Sequence, residues 1–257
     1  MSVPEPGPAA LRPAIVIPFY NHERAIGRTV AGLRRYGLPC WIVDDGSEPR
    51  CAPVLRQLAE QERGWLRLLR LSPNQGKGLA VMTGMRAAAA AGCSHAVQID
   101  ADGQHDPAGL ERLLQAARQH PAAVICGVPV YDASVPKGRL YGRYITHVWV
   151  WINTLSLEIR DSMCGFRVYP LAPALRVWDT QPVGRRMQFD TDILVRLFWQ
   201  GLRVINVPVR VTYPPDGVSH FDLWRDNLRI SGMHARLFFG MLRRLPRLVA
   251  QRLRGRR

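Results

Sequence analysis

Residues 95–107 read HAVQIDADGQHDP: an apolar run, then Asp100, Asp102 and Asp106 within seven residues, then proline. The run His95 to Ile99 predicts a buried strand extending through QIDADG. Asp106 followed by Pro107 is the pairing that opens a helix, the carboxylate capping free amides and proline fitting the first turn, here for LERLLQAARQ. A strand that ends in acids and turns directly into a helix is one unit of an α/β sheet.

The same unit recurs on both sides of this stretch. AIVIPFYN (14–21) and CWIVDDGS (40–47) are apolar runs ending in polar residues, LRLLRLS (66–72) is a third strand, and AVICGVPVY (123–131) a fifth. Helices are expected at 22–36, at 52–61 and over the alanine-rich stretch GLAVMTGMRAAAAAG, closed by Gly92. Strands alternating with helices of this length predict a mostly parallel sheet. Ligands of such sheets bind beyond the carboxyl ends of the strands. Asn21 and Glu23, Asp44 and Asp45, and Asp100 and Asp102 all fall there. Residues 131–147 read as a basic loop, MQFDTDILVRLFWQG and LRVINVPVRVTY as a further α/β stretch, and everything from Leu223 onward as helix.

The chain of 257 residues carries a formal charge of +15, and its pI is about 10.7. Such a balance calls for an anionic partner: nucleic acid, phospholipid or a phosphorylated substrate. Five cysteines, an odd number with no CxxC pair, argue against a disulfide framework or a zinc site and fit a reducing compartment. Residues 1–13 read as a disordered lead with no signal-peptide pattern. No apolar run is long enough to cross a bilayer, the nearest being YITHVWVWINTLSL (144–157).

Several groups could carry chemistry. Asp100 and Asp102 can converge on a hard divalent cation, with Gln104 and His105 within reach, or form a solvated acidic turn. Asp45 can accept hydrogen bonds from a nucleoside or end a strand in an ordinary turn. In NQGKG (74–78), Lys77 and neighbouring backbone amides can face phosphate, although the spacing is not that of a Walker A loop. Arg139 and Arg143, one helical turn apart, can clamp phosphate. Asp190 and Asp192 can supply a general base or sit at a helix start.

Taken in order, VIPFYNHE, VDDGS, NQGKG, DADGQHDP, SMCGFRVY and GVSHF resemble family 2 glycosyltransferases, in particular the dolichyl-phosphate mannosyltransferase-like branch, over residues 14–221. The resemblance implies a GT-A fold, a nucleotide-diphosphate sugar donor (a GDP- or UDP-sugar) and inversion at the anomeric carbon. It implies a nucleotide-sugar site of Pro18, Tyr20, Asn21, Glu23, Asp45, Lys77 and Asp100, and a Mg2+ or Mn2+ ion on Asp100, Asp102 and Gln104. Arg139 and Arg143 would meet the acceptor or its phosphate, with Ser219 and His220. The sequence departs from that branch in His220, where lysine is usual, and in Pro214, where arginine is usual. Asp102 would stabilise the leaving diphosphate through the metal. Asp192, then Asp190, would be the base if the acceptor is a hydroxyl; a polyprenyl phosphate needs none.

The last stretch, 222–257, forms a basic amphipathic tail in this reading. From residue 220 onward ten arginines face two aspartates, a net of +8 of the chain's +15. Trp224, Leu228, Leu237, Met241, Leu245, Leu248 and Leu253 recur at helical spacing, with Pro246 expected to break or kink the helix. The tail either lies in an anionic membrane surface or packs on the core with a basic outer face. With the charge gathered there and acids at the strand ends, nucleic acid is not the expected partner. The expected location is peripheral, on the cytoplasmic face of the inner membrane.

Overall fold

The structure is a computed structural model and describes residues 10–131, 135, 137–213 and 221–254. Seven strands form one sheet: β1 (Pro13–Phe19), β2 (Cys40–Asp45), β3 (Leu66–Leu71), β4 (His95–Gln98), β5 (Val124–Tyr131), β6 (Arg167–Pro170) and β7 (Val204–Val211), in the order β3-β2-β1-β4-β6-β5-β7. All pairs are parallel except those that β6 makes with β4 and β5. Strand order reverses at β1, whose partners on either side are β2 and β4, and a crevice opens at such a reversal.

The helices are α1 (Ile26–Arg34), α2 (Cys51–Gln61), α3 (Lys77–Ala90), α4 (Leu110–Gln119), α5 (Lys137–Thr154), α6 (Leu171–Thr180), α7 (Phe189–Trp199) and α8 (Leu223–Arg254). They cover both faces of the sheet. In β1 the alternation required by a strand sends Ile15, Ile17 and Phe19 into a core shared with α1, α2 and α4. Ala14 and Val16 enter the opposite core, with α3, α5, α6, α7 and α8. Asp106 caps as its sequence predicts, accepting from Ala108 N at 2.9 Å, although the first turn is 3-10 before α4 begins.

Two expectations need correction. Residues 131–147 are not a loop throughout: α5 starts at Lys137 and runs into the aromatic stretch. Pro246 does not break α8, which continues through it; the proline is exposed, so the carbonyl that loses its partner can meet water. The C-terminal stretch packs partly on the core, one of the two arrangements its sequence allows. Met233, Leu237, Met241 and Leu248 are buried in the core beside α5 and α7, while Trp224, Leu228, Leu242, Leu245 and Leu253 stay exposed. One flank of α8 packs inward and another faces out, so its apolar stripe is wider than a core contact requires. Among the described residues no helix is long and apolar enough to cross a membrane, and all five cysteines are free.

Candidate active site

A cleft of about 1070 Å³ opens at the carboxyl ends of β1, β2 and β4. Pro18 and Tyr20 from β1, Asp45 from β2, and Asp100, Asp102 and Gln104 beyond β4 line it, together with Lys77, Arg143 and Asp190. The strand-end carboxylates therefore share one cavity.

Local backbone constraints build this wall. Asp45 accepts from Gln75 N at 2.8 Å, Gly76 N at 2.7 Å and Asn74 Nδ2 at 2.9 Å. Burial raises the Asp45 carboxyl despite these bonds, which pull the other way. Gly76 has φ +106, and a Cβ there would stand 2.5 Å from Arg185 O. Gly78 N also donates to Arg185 O, at 2.8 Å. The amides of Gln75 and Gly76 are thus committed to Asp45 and that of Gly78 to Arg185, and the ammonium of Lys77 is what this loop turns to the acids of the cleft.

Lys77 Nζ lies 2.8 Å from Asp100 Oδ1, 2.9 Å from Asp100 Oδ2 and 2.7 Å from Asp190 Oδ2. Burial by itself would lower the lysine; Asp100 and Asp190 outweigh it and hold it above its ordinary value. Burial likewise opposes charge on Asp100, and Lys77 and His105 together bring the carboxyl below its ordinary value. Asp100 fits because residue 165 is glycine: a Cβ there would be 2.4 Å from Asp100 Oδ2. Asp102 Oδ1 accepts from Gln104 N at 3.0 Å, and no other hydrogen bond to Asp102 occurs among the described residues. The loop that carries them is tied to β7 by Asp106 N to Arg210 O, 3.2 Å, and Thr212 N to Gln104 O, 3.0 Å.

Asp190 accepts from Gln98 Nε2 at 2.7 Å, so Gln98 and Lys77 engage one oxygen each. Its backbone oxygen accepts from the fully buried Arg167 at 2.5 Å. Arg143 donates to Asp161 through Nε at 2.6 Å and Nη2 at 2.8 Å. Burial opposes charge on Asp161, but His147 and Arg143 hold the carboxyl well below the usual range.

Three expected site residues stand elsewhere. Asp192, the first-choice base, is fully buried and outside the cleft lining; it accepts from Gly184 N at 2.9 Å and pairs with Arg196 at 2.5 Å. Asn21 and Glu23 also lie outside the lining. Asn21, at φ +53, accepts from Glu48 N at 2.9 Å and donates to Glu48 Oε1 at 3.2 Å, tying β1 to the loop after β2. Glu23 pairs with Arg50 at 2.9 Å. Arg139 lies in α5, with no side-chain description, and Ser219, His220 and Pro214 fall outside the described residues.

Sequence reasoning missed Arg186, Arg225 and Arg229, which also line the cleft. The double arginine before MQFD was a legible signal for the first. The other two lie in the first turns of α8 and reach the cleft only because that helix folds back over it.

Paired carboxylates at the switch point of a mixed, mainly parallel sheet, with cations lining the same cleft, suit a ligand that carries phosphate. The sequence pattern of glycosyl transferase family 2 matches residues 14–173, and the chain belongs to that family; it is a glycosyltransferase. It is 27% identical over 230 residues to a polyprenol monophosphomannose synthase of Mycolicibacterium smegmatis, covering 82% of this chain and 83% of the relative. It is 24% identical over 214 residues to a UDP-N-acetylglucosamine–dolichyl-phosphate N-acetylglucosaminyltransferase of Methanococcus voltae, covering 77% and 85%. Among solved structures, it resembles a Mycobacterium tuberculosis glucosyl-3-phosphoglycerate synthase in complex with Mn2+, UDP and glucosyl-3-phosphoglycerate, at TM-score 0.63 and 17% identity over 94% of this chain and 85% of that one. A Pyrobaculum calidifontis mannosyltransferase in complex with GDP-Man and Mn2+ aligns at TM-score 0.58 and 18% identity, over 96% and 76%. These likenesses place the sheet and its helices in the GT-A fold.

Proposed function

We propose that the protein transfers a sugar, with inversion, from a nucleotide-diphosphate sugar to a polyprenyl phosphate at an anionic membrane surface. The observation that carries this reading is the meeting of Asp45, Asp100 and Asp102 in one cleft. Asp102 keeps an oxygen without a hydrogen bond among the described residues, while both oxygens of Asp100 meet the Lys77 ammonium, at 2.8 and 2.9 Å. Two hard carboxylates with the Gln104 amide beside them suit a magnesium-like ion that takes its remaining ligands from phosphate and water. Asp100, Asp102 and Gln104 would hold that ion, Mg2+ or Mn2+, whose charge offsets the charge developing on the departing diphosphate. Pro18, Tyr20 and Asp45 line the nucleotide side.

The state of the acids favours a phosphate acceptor. Attack by a hydroxyl needs a free base. Asp192 is buried in an ion pair, and both oxygens of Asp190 are engaged. A phosphate monoester is already anionic near pH 7 and needs no such base. Arg143 and Arg229 line the same cavity and can orient it, while Arg143 is itself held by Asp161. The polyprenol monophosphomannose synthase and the dolichyl-phosphate N-acetylglucosaminyltransferase to which the chain is similar are named for such lipids.

The outer surface supports a lipid source. Tyr141, Tyr144, Ile145, Trp149 and Ile152 fall on one face of α5 and are exposed. Trp149 also meets Phe238 of α8, ring centroids 6.3 Å apart, and α8 carries exposed apolar residues of its own, with Arg225 and Arg236 also solvent-facing. An apolar plate rimmed by arginine suits peripheral attachment to anionic lipid, on the cytoplasmic side where nucleotide sugars are made.

The test is transfer by the full chain from a panel of GDP- and UDP-sugars to a polyprenyl phosphate in phosphatidylglycerol vesicles, with Mn2+ or with EDTA. Formation of an acid-labile lipid-phosphate sugar only with metal is expected. Equal transfer in EDTA overturns the metal assignment; transfer to the free polyprenol but not to its phosphate overturns the acceptor.

A further inference from the structure

Resting on the metal-dependent reading above, we infer that Lys77 is a resident cation that occupies the divalent ion's place on Asp100 until a nucleotide diphosphate draws it away, so that metal and donor bind cooperatively. The ammonium contacts both oxygens of Asp100, at 2.8 and 2.9 Å, and reaches Asp190 at 2.7 Å. Asp100 and Asp190 hold this ammonium between them, and Asp102 lines the same cleft. Asp100 is neutralised by this contact, and a divalent ion arriving at Asp100 and Asp102 meets a positive charge touching one of its two carboxylate ligands.

The ligand count points the same way. Among the described residues no group of three His, Cys, Asp or Glu side chains is placed to hold a metal ion. Two carboxylates make a weak seat until phosphate oxygens complete it. A diphosphate supplies those oxygens, and it supplies the counter-charge that lets Lys77 leave Asp100. The backbone need not move for this. Gly76 is pinned between Asp45 and Arg185, whereas the four-carbon stem of Lys77 can swing from Asp100 toward phosphate while staying near Asp190.

The experiment is Mn2+ binding to the full chain, read by the EPR signal of free Mn2+, with no nucleotide and with saturating GDP or UDP, corrected for the nucleotide's own complex with Mn2+. Wild-type protein is expected to bind Mn2+ about tenfold more tightly, or better, with the cognate nucleotide, and by linkage Mn2+ tightens the nucleotide by the same factor. Lys77→Met is expected to gain about tenfold in nucleotide-free Mn2+ affinity and to lose most of the coupling; Lys77→Arg, which keeps a cation, should retain it. Nucleotide-free Mn2+ affinity that is unchanged or weaker in Lys77→Met overturns the inference and leaves the metal site standing. Should Lys77→Met fail to fold, absence of coupling in wild type overturns it just as well. If Mn2+ binds with neither nucleotide, or if Asp102→Asn binds it as wild type does, the metal reading itself fails and this inference with it.

Discussion

Two stretches of this chain contain an Asp-x-Asp pair, and the fold uses them oppositely. In DADG the pair follows β4, and both acids line the cleft. In DTD the pair lies in the first turn of α7. Residues two apart on a helix are about 200° apart around its axis, so Asp190 faces the cleft and Asp192 faces the interior, where Arg196 meets it. An identical spacing means convergence after a strand and divergence on a helix. The identity of the element, more than the motif, decides which acids can act together.

The largest effect expected from breaking this comparison is on stability. Asp192→Ala leaves Arg196 buried without its partner, and removing one member of a buried pair costs about 3–5 kcal/mol. The melting temperature should fall by roughly 10 °C. An unchanged melting temperature together with lost turnover would return Asp192 to the role of base. Asp102→Asn should do the reverse. Its fold is kept, and transfer falls on the order of 10²–10³-fold, the scale for losing one group that stabilises developing charge. Full turnover with the substitution, measured in the same vesicle assay, would remove Asp102 from the metal site.

Gly165→Ala sharpens the comparison from outside the pair. The added Cβ would stand 2.4 Å from Asp100 Oδ2, so the carboxylate must shift. A displacement near 1 Å at a reacting centre costs about 10²-fold. Transfer should fall by up to that factor while nucleotide-linked Mn2+ affinity weakens; wild-type values for both would show that Asp100 relaxes without consequence.

Much of this was legible before the structure. Strands β1 to β5 appear as β-branched and apolar runs, and Asp45, Asp100 and Asp102 meet because the parallel strands β2, β1 and β4 end on one side of the sheet. What was not legible has physical causes. In α7 every residue except Phe198 is buried, so no polar face exists to give a helical period, and DTD could be read as strand edge or helix start. In α5 the exposed side is aromatic and apolar, which erases the contrast that marks a surface helix, and its basic first turn read as loop. The burial of Asn21 and Asp192 depends on partners 27 residues away and on Arg196 and Gly184, respectively. Strand β6 is four residues long and contains a buried arginine; it is a strand because its neighbours supply the ladder.

The smallest effect belongs to the third acid of the DADGQHD stretch. Asp106 lies beyond the pair, and its carboxylate accepts from Ala108 N at 2.9 Å at the start of the turn leading into α4. An N-cap aspartate contributes about 1 kcal/mol. Asp106→Ala should therefore lower stability by that amount in urea unfolding, with Asp106→Asn, which can still cap, near wild type. Its contribution is electrostatically undemanding, because the acceptor oxygen does the capping whether or not the charge is present. If Asp106→Asn lost transfer as fully as Asp102→Asn, the acid would belong to the cation site, and the boundary drawn here between the two acids that share the cleft and the one that opens the helix would be in the wrong place.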